Sequence, residues 1–200
     1  MNLDLENILK ELKPYRERKA MLDPEHAALL VIDMQNFFRR MVRPILKNLL
    51  RVIETCRQKD VPVVFTQHGH TNLQSDGGVL AQWWGEAILH GTTDWKFLPE
   101  IKIESKDKIL PKKRYSAFFE TDLGSFLQSK GIRDLVISGV MTNLCCETTA
   151  RDAFMRDYRV FFLIDGTATG SGQHHLATLK NLGFGFAYLM TCDELVGMLQ

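Results

Sequence analysis

Six apolar runs recur along the chain with room for a helix between most of them. They are AALLVID (27–33), VPVVFTQ (61–67), DKILPK (107–112), DLVISGV (134–140), RVFFLID (159–165) and GFAYLM (185–190). Runs that are apolar nearly throughout, rather than alternating, suit strands buried on both faces. The segments between them carry helical spacing. Val42, Ile45, Leu46, Leu49, Ile53 and Cys56 fall on one face of a helix expected to run to about Asp60. TDLGSFLQSKG (121–131) has Thr121 to cap it and Gly131 to stop it. Further helices are expected over about 143–157, about 171–182 and in DELVGML. Strands alternating with helices predict an α/β fold, a doubly wound parallel sheet with helices on both faces.

Composition narrows the class. At 200 residues, 45% apolar and 24% charged, the chain has enough material for one sizeable core. A net charge of +1 gives no basic face for nucleic acid, and no apolar run is long enough for a membrane span. The four cysteines, Cys56, Cys145, Cys146 and Cys192, form no CxxC pair, which suits free thiols in a reducing, cytoplasmic setting. Residues 1–20 read as a charged helical arm, with Leu3, Ile8, Leu9 and Leu12 available to clasp a neighbouring subunit. Residues 21–200 read as a single domain.

In doubly wound sheets ligands bind beyond the carboxyl ends of the strands, where the strand order reverses. The side chains just after each strand are therefore the candidates. Asp33 closes the first run, where it serves either a ligand or the next turn. Lys112 ends the third, Lys113 and Arg114 follow it, and spacing alone leaves open which of the three turns inward. Cys145 lies just past the fourth. If its helix starts near Asn143, the thiol sits in the first turn, where free N–H groups and the helix dipole favour a thiolate. Cys146 reads as a small buried apolar group. Asp33 as base, a lysine as charge partner, Cys145 as nucleophile and backbone N–H groups around Met141 and Cys145 as oxyanion donors together make up the parts for attack on a carbonyl carbon.

The stretches VIDMQNFF, KKRYSAF, GVMTNLCCETTARDA and LIDGTAT resemble the isochorismatase-like superfamily of cysteine hydrolases, over roughly Ala27 to Met190. The resemblance implies a Rossmann-like, six-stranded sheet of order 3-2-1-4-5-6 and an Asp33–Lys113–Cys145 triad, the register of KRYSAF placing the lysine at Lys113. It also implies a cis peptide at Val140–Met141, no cofactor, and a homodimer or homotetramer. Gln67 stands where nicotinamidases of the superfamily carry their first acidic metal ligand. His68 and His70 therefore lack a third partner, no metal is expected, and nicotinamidase activity is disfavoured. Cys145 stands where true isochorismatases typically have glycine, which disfavours cysteine-free vinyl ether hydrolysis.

The expected activity is hydrolysis of a C–N bond in a small linear amide or carbamoyl compound through a cysteine thioester. The competing readings are isochorismatase-type ether hydrolysis and a catalytically silent thiol sensor or binding scaffold. The expected pocket takes Gln35, Phe38 with its neighbour Phe37, His68, Trp84 with its neighbour Trp83, Tyr115, Phe118 and Thr142. The long polar and aromatic excursion between His68 and Lys106 reads as a lid or a subunit contact.

Overall fold

The computed structural model describes residues 4–200. Six strands, β1 (Ala27–Ile32), β2 (Val63–His68), β3 (Lys108–Lys112), β4 (Asp134–Val140), β5 (Arg159–Ala168) and β6 (Tyr188–Met190), form one sheet of order β3-β2-β1-β4-β5-β6. Every neighbouring pair is parallel. All six residues of β1 are buried, because it is the central strand and helices cover both faces. Its side chains alternate between two cores. Leu29 and Val31 pack with α3 (Leu46–Gln58) and α8 (Cys192–Leu199) on one face. Leu30 and Ile32 pack on the other face with α5 (Leu123–Ser129), α6 (Glu147–Met155) and α7 (Gly172–Gly185). Phe65, Phe161 and Phe162 are fully buried in these layers, each contributing about 1.5–3 kcal/mol of apolar burial.

Three departures from the sequence reading have local causes. The single helix expected after β1 is broken into a 3-10 turn (Asn36–Phe38), α2 (Arg39–Val42) and α3, with Pro44, which lacks an N–H, in the break between α2 and α3. Strand β5 runs to Ala168, three residues beyond the expected end, with a register shift that pairs Ile137 with Phe162 but Gly139 with Thr167. The excursion after β2 holds a wide π turn (Leu73–Gly77) and α4 (Gly78–Trp84).

The arm helix α1 (Leu5–Leu12) lies on its own domain. Leu12 is fully buried, Ile8 and Leu9 pack on the α7 side of the sheet, and Lys180 on α7 pairs with Glu11 at 2.6 Å. Arg16 and Arg18 then tie the chain to Glu194 and to the Phe184 carbonyl. These apolar residues pack within the chain, and Leu3 lies outside the described residues. No helix is long and apolar enough to cross a membrane among the described residues.

Gly139 fixes the approach of β4 to β1. Its φ is +105°, and a Cβ there would lie 2.1 Å from the Ile32 carbonyl oxygen. Only glycine lets the two backbones meet beside Asp33.

Candidate active site

The strand order reverses at β1, with β2 on one side and β4 on the other, so the crevice opens beyond Ile32 and Val140. Asp33, the residue after β1, is fully buried with a φ of +49°, a conformation that Asp tolerates better than most residues. Thr66 on β2 holds it at both ends. The Thr66 hydroxyl accepts the Asp33 backbone N–H at 3.0 Å and donates to Oδ1 at 2.6 Å.

The lysine beside Asp33 is Lys112, which corrects the expectation of Lys113. Lys112 Nζ sits 2.7 Å from Asp33 Oδ2, both side chains fully buried. The ammonium also donates to Cys145 Sγ at 3.4 Å and to the Arg114 carbonyl at 3.0 Å, while its contact with Asp33 Oδ2 is an ion pair. Lys113 points the other way. Its side chain is 50% exposed and lies 3.3 Å from Asp76. The reason is strand alternation: Leu110 and Lys112 face inward, Pro111 outward, and Lys113 continues outward. Counting in twos from Leu110 selects Lys112, a signal present in the sequence that the KRYSAF register overrode.

Cys145 is the last residue but one of a π turn (Thr142–Cys146), and α6 begins only at Glu147. Met141 caps this turn with extended backbone, and Cys146 and Glu147 are already helical in φ and ψ, so the turn runs straight into α6 and the thiol lies in the first turn of the helical segment, as expected. The thiol is 6% exposed. Burial pushes its pKa up to about 12, against the pull of the Lys112 ammonium and with a further push from the Asp33 carboxylate. Burial outweighs the helix N-terminus, and the resting group is a thiol. For Asp33 burial raises the pKa, but Lys112, His68 and the hydrogen bonds from Lys112 and Thr66 outweigh it and hold the carboxylate ionised. Burial likewise opposes charge on Lys112, and Asp33 and Cys145 outweigh it. Cys146 is fully buried with Sγ 3.9 Å from the Ser138 carbonyl, a core filler as expected. The Val140–Met141 peptide is cis.

Cys145 and Met141 form part of the floor of a cavity of about 260 Å³. Of the expected pocket residues, Phe38, His68, Trp84 and Tyr115 line it, as does Phe37. Gln35 does not. Its amide is spent on the backbone of His68, donating to the carbonyl and accepting the N–H at 2.9 Å each, and on the Trp95 carbonyl. Phe118 lies in the core on the α5–α6 side of the sheet, stacked on Tyr158. Thr142 is fully buried and bonded to His175 Nδ1 at 2.9 Å. The walls that sequence reasoning missed are Met41, Leu80, Ile88 and Leu144, apolar residues that no chemical motif marks.

His68 and His70 stand edge to face with ring centroids 5.1 Å apart, and His70 Nδ1 is turned onto Asp76. Gln67 donates to the Trp95 carbonyl. No group of three His, Cys, Asp or Glu side chains able to hold a metal ion occurs among the described residues, so these residues do not fit a metal centre.

A family model described as the isochorismatase domain matches residues 27–194. A relative from Arabidopsis thaliana, "Nicotinamidase 3", is 49% identical over 186 residues, covering 92% of this chain and 93% of the relative. A ureidoacrylate amidohydrolase from Serratia proteamaculans is 30% identical over 212 residues, covering 90% and 86%. Among solved structures, N-carbamoylsarcosine amidase from Thermoplasma acidophilum superposes with a TM-score of 0.72 at 28% identity, covering 84% of this chain and 96% of that one.

Proposed function

The chain belongs to the isochorismatase family, and from that premise we propose that it is a cysteine hydrolase cleaving the C–N bond of a small, flat, largely apolar primary amide. The observation that carries this reading is the buried Lys112 ammonium touching both the Asp33 carboxylate and the Cys145 sulfur beside the cavity. A nucleophile, a base and a shared cation are the parts of covalent acyl transfer.

In the proposed cycle the Cys145 thiol gives its proton to Asp33 as sulfur bonds to the amide carbon. With a thiol near 12 and a carboxylate below its ordinary range, free proton transfer is strongly uphill. The transfer therefore accompanies S–C bond formation, when the negative charge moves on to the carbonyl oxygen. Backbone N–H groups of Met141 and Cys145 are the proposed hydrogen-bond donors to that oxygen. Asp33 returns the proton to the departing nitrogen and ammonia leaves. Water, deprotonated by the same carboxylate, then splits the thioester and restores the thiol.

The cavity walls favour an aromatic amide over the linear carbamoyl compound that the sequence suggested. Phe37, Phe38, Trp84 and Tyr115 offer ring faces and edges. The Tyr115 hydroxyl already accepts from the Trp84 indole N–H at 2.7 Å, which leaves few partners for the several polar groups of a carbamoyl acid. The name of the Arabidopsis relative points the same way.

The test is ammonia release from a panel of aromatic and carbamoyl amides, with intact-mass detection of an acyl adduct on the protein. Adduct and ammonia are both expected to vanish in Cys145→Ala. Ammonia release that survives this substitution rules out the thioester. Pyruvate release from a vinyl ether that survives it points to ether hydrolysis instead.

A further inference from the structure

Helix α7 reaches the nucleophile turn at both of its ends. His175 and Thr178 lie one turn apart on the same buried face of α7. His175 Nδ1 is bonded at 2.9 Å to the hydroxyl of Thr142, the first residue of the turn. The Thr178 hydroxyl donates to Oε2 of Glu147, just past the turn, at 2.7 Å. Thr169, next after β5, adds a third tie, its hydroxyl donating to Asn143 Oδ1 at 2.7 Å. None of these side chains lines the cavity, and the cycle above uses none of them. Yet the turn they hold carries Cys145 and follows directly on Met141, the two residues whose N–H groups face the oxyanion in that cycle.

The bond between Thr142 and His175 is the deepest of the three, since both residues are fully buried. The direction of its proton follows from the other ring nitrogen. His175 Nε2 is sealed from solvent, and the polar group that reaches it is the Ile164 carbonyl, in the stretch of β5 that shifts register against β4. A carbonyl only accepts, so Nε2 carries the proton and Nδ1 accepts from the Thr142 hydroxyl. Burial, which pushes the ring's pKa down to about 4, keeps it neutral and keeps that lone pair available. Within the turn, the N–H groups of Leu144 and Cys146 both bond the Met141 carbonyl, so Met141 and the turn move as one piece.

We propose that His175 is a positioning residue for the reaction: by holding Thr142 from α7, it sets the turn so that the Met141 and Cys145 N–H groups meet the oxygen of the tetrahedral adduct. This inference rests on the acyl-transfer reading above and adds to it a residue remote from the cavity. Donors to an oxyanion act only when they are placed in advance, and a displacement of about 1 Å costs about a hundredfold. The sulfur itself is less affected by such a shift. Its attack on a saturated carbon forms no oxyanion and calls on neither N–H group.

The experiment compares two reactions of Cys145 in the full chain. 4-Nitrophenyl acetate acylates it: sulfur bonds to the acetyl carbon through an oxyanion, the thiol proton goes to Asp33 and 4-nitrophenolate leaves. Iodoacetamide alkylates it by displacement of iodide, with no oxyanion. Both are followed by intact mass, with Cys145→Ala as the blank. In Thr142→Val and in His175→Leu, acylation is expected to slow about tenfold or more while alkylation stays within about twofold of wild type. Thr142→Ser keeps the hydroxyl and is expected to acylate within about threefold of wild type. Thr142→Val combined with His175→Leu is expected to lose no more than the worse single variant, because both cut the same bond. Thr178→Val, which frees Glu147 at the other end of the turn, is expected to slow acylation less but in the same direction, and keeps the comparison open where a variant at the buried bond does not fold. Acylation and alkylation falling together, unchanged acylation, or losses that multiply in the double variant overturn the positioning role and leave the acyl-transfer reading standing. A wild-type Cys145 that alkylates but never acylates sinks that reading, and this role with it.

Discussion

Exchanging Lys112 for alanine and, separately, Lys113 for alanine tests the site where neighbouring residues of one type have opposite surroundings. Lys112 and Asp33 are both completely buried and 2.7 Å apart. Removing the ammonium strands a carboxylate whose other support is Thr66 Oγ1 at 2.6 Å. Breaking a buried pair from one side costs about 3–5 kcal/mol. For a chain of this size each kcal/mol lowers the melting temperature by about 2–4 °C, so a drop of roughly 6–20 °C is expected. Lys113 and Asp76 form a half-exposed pair, worth about 0–1 kcal/mol, and Lys113→Ala should melt within a few degrees of wild type. Ammonia release separates them further. Lys113→Ala should keep near-wild-type kcat, and Lys112→Ala should lose about a thousandfold or more, the scale of a removed electrostatic donor. Lys112→Met combined with Asp33→Leu removes both charges and should recover much of the stability with no activity, because two apolar groups replace the pair. If Lys113→Ala is the inactive protein while Lys112→Ala turns over normally, the assignment of the buried ammonium is wrong, whatever the melting temperatures show.

Two further outcomes follow from buried titrating groups. His68 and His175 are held neutral, burial pushing each down to about 4, whereas in the unfolded chain they titrate near 6.5. The unfolded state therefore binds more protons between pH 6.5 and 4, and stability falls as pH falls through that window, by up to roughly 3 kcal/mol per histidine. Urea midpoints across this range should show the slope, and His175→Gln should flatten it; a flat wild-type profile means the rings are charged in the fold. Cys145, with burial raising its pKa to about 12, should react with iodoacetamide at a rate still climbing at pH 10 in substrate-free protein. A plateau near pH 9, as for an ordinary exposed thiol, contradicts a resting thiol held by burial.

What was legible in the sequence is what periodicity and strand ends control. The buried character of AALLVI and DLVISGV follows from covering both faces of a parallel sheet, and the order β3-β2-β1-β4-β5-β6 agrees with the resemblance. Asp33 was visible because it directly follows β1, and Cys145 because it lies in the turn after β4, both at the switch point. Gln35 and Thr142 lie close by in the chain yet turn away from the cavity. Their side chains serve backbone and core hydrogen bonds, which depend on partners 33 residues distant. The apolar walls carry no signal, since Met41, Leu80, Ile88 and Leu144 look like any core residue until the excursion folds back over the sheet. The lysine was within reach of alternation but not of a motif register one residue out of step.

That one-residue difference bears on the chemistry. At rest the site holds an ionised carboxylate, an ammonium and a neutral thiol, with no net charge. As the thiol proton moves to Asp33 and sulfur bonds to carbon, the site holds a neutral acid, the same ammonium and one negative charge passing from sulfur to the carbonyl oxygen, again with no net charge. In a buried site a change in net charge costs several kcal/mol per uncompensated ion, so a proton shift that conserves it is far cheaper than ionising an isolated thiol. The condition is that one cation touch both the donor and the acceptor of the proton. Lys112 meets it at 2.7 Å from Asp33 and 3.4 Å from Cys145. A half-exposed lysine paired with Asp76 cannot, because it would leave the charge that develops on sulfur during S–C bond formation with no counter-charge.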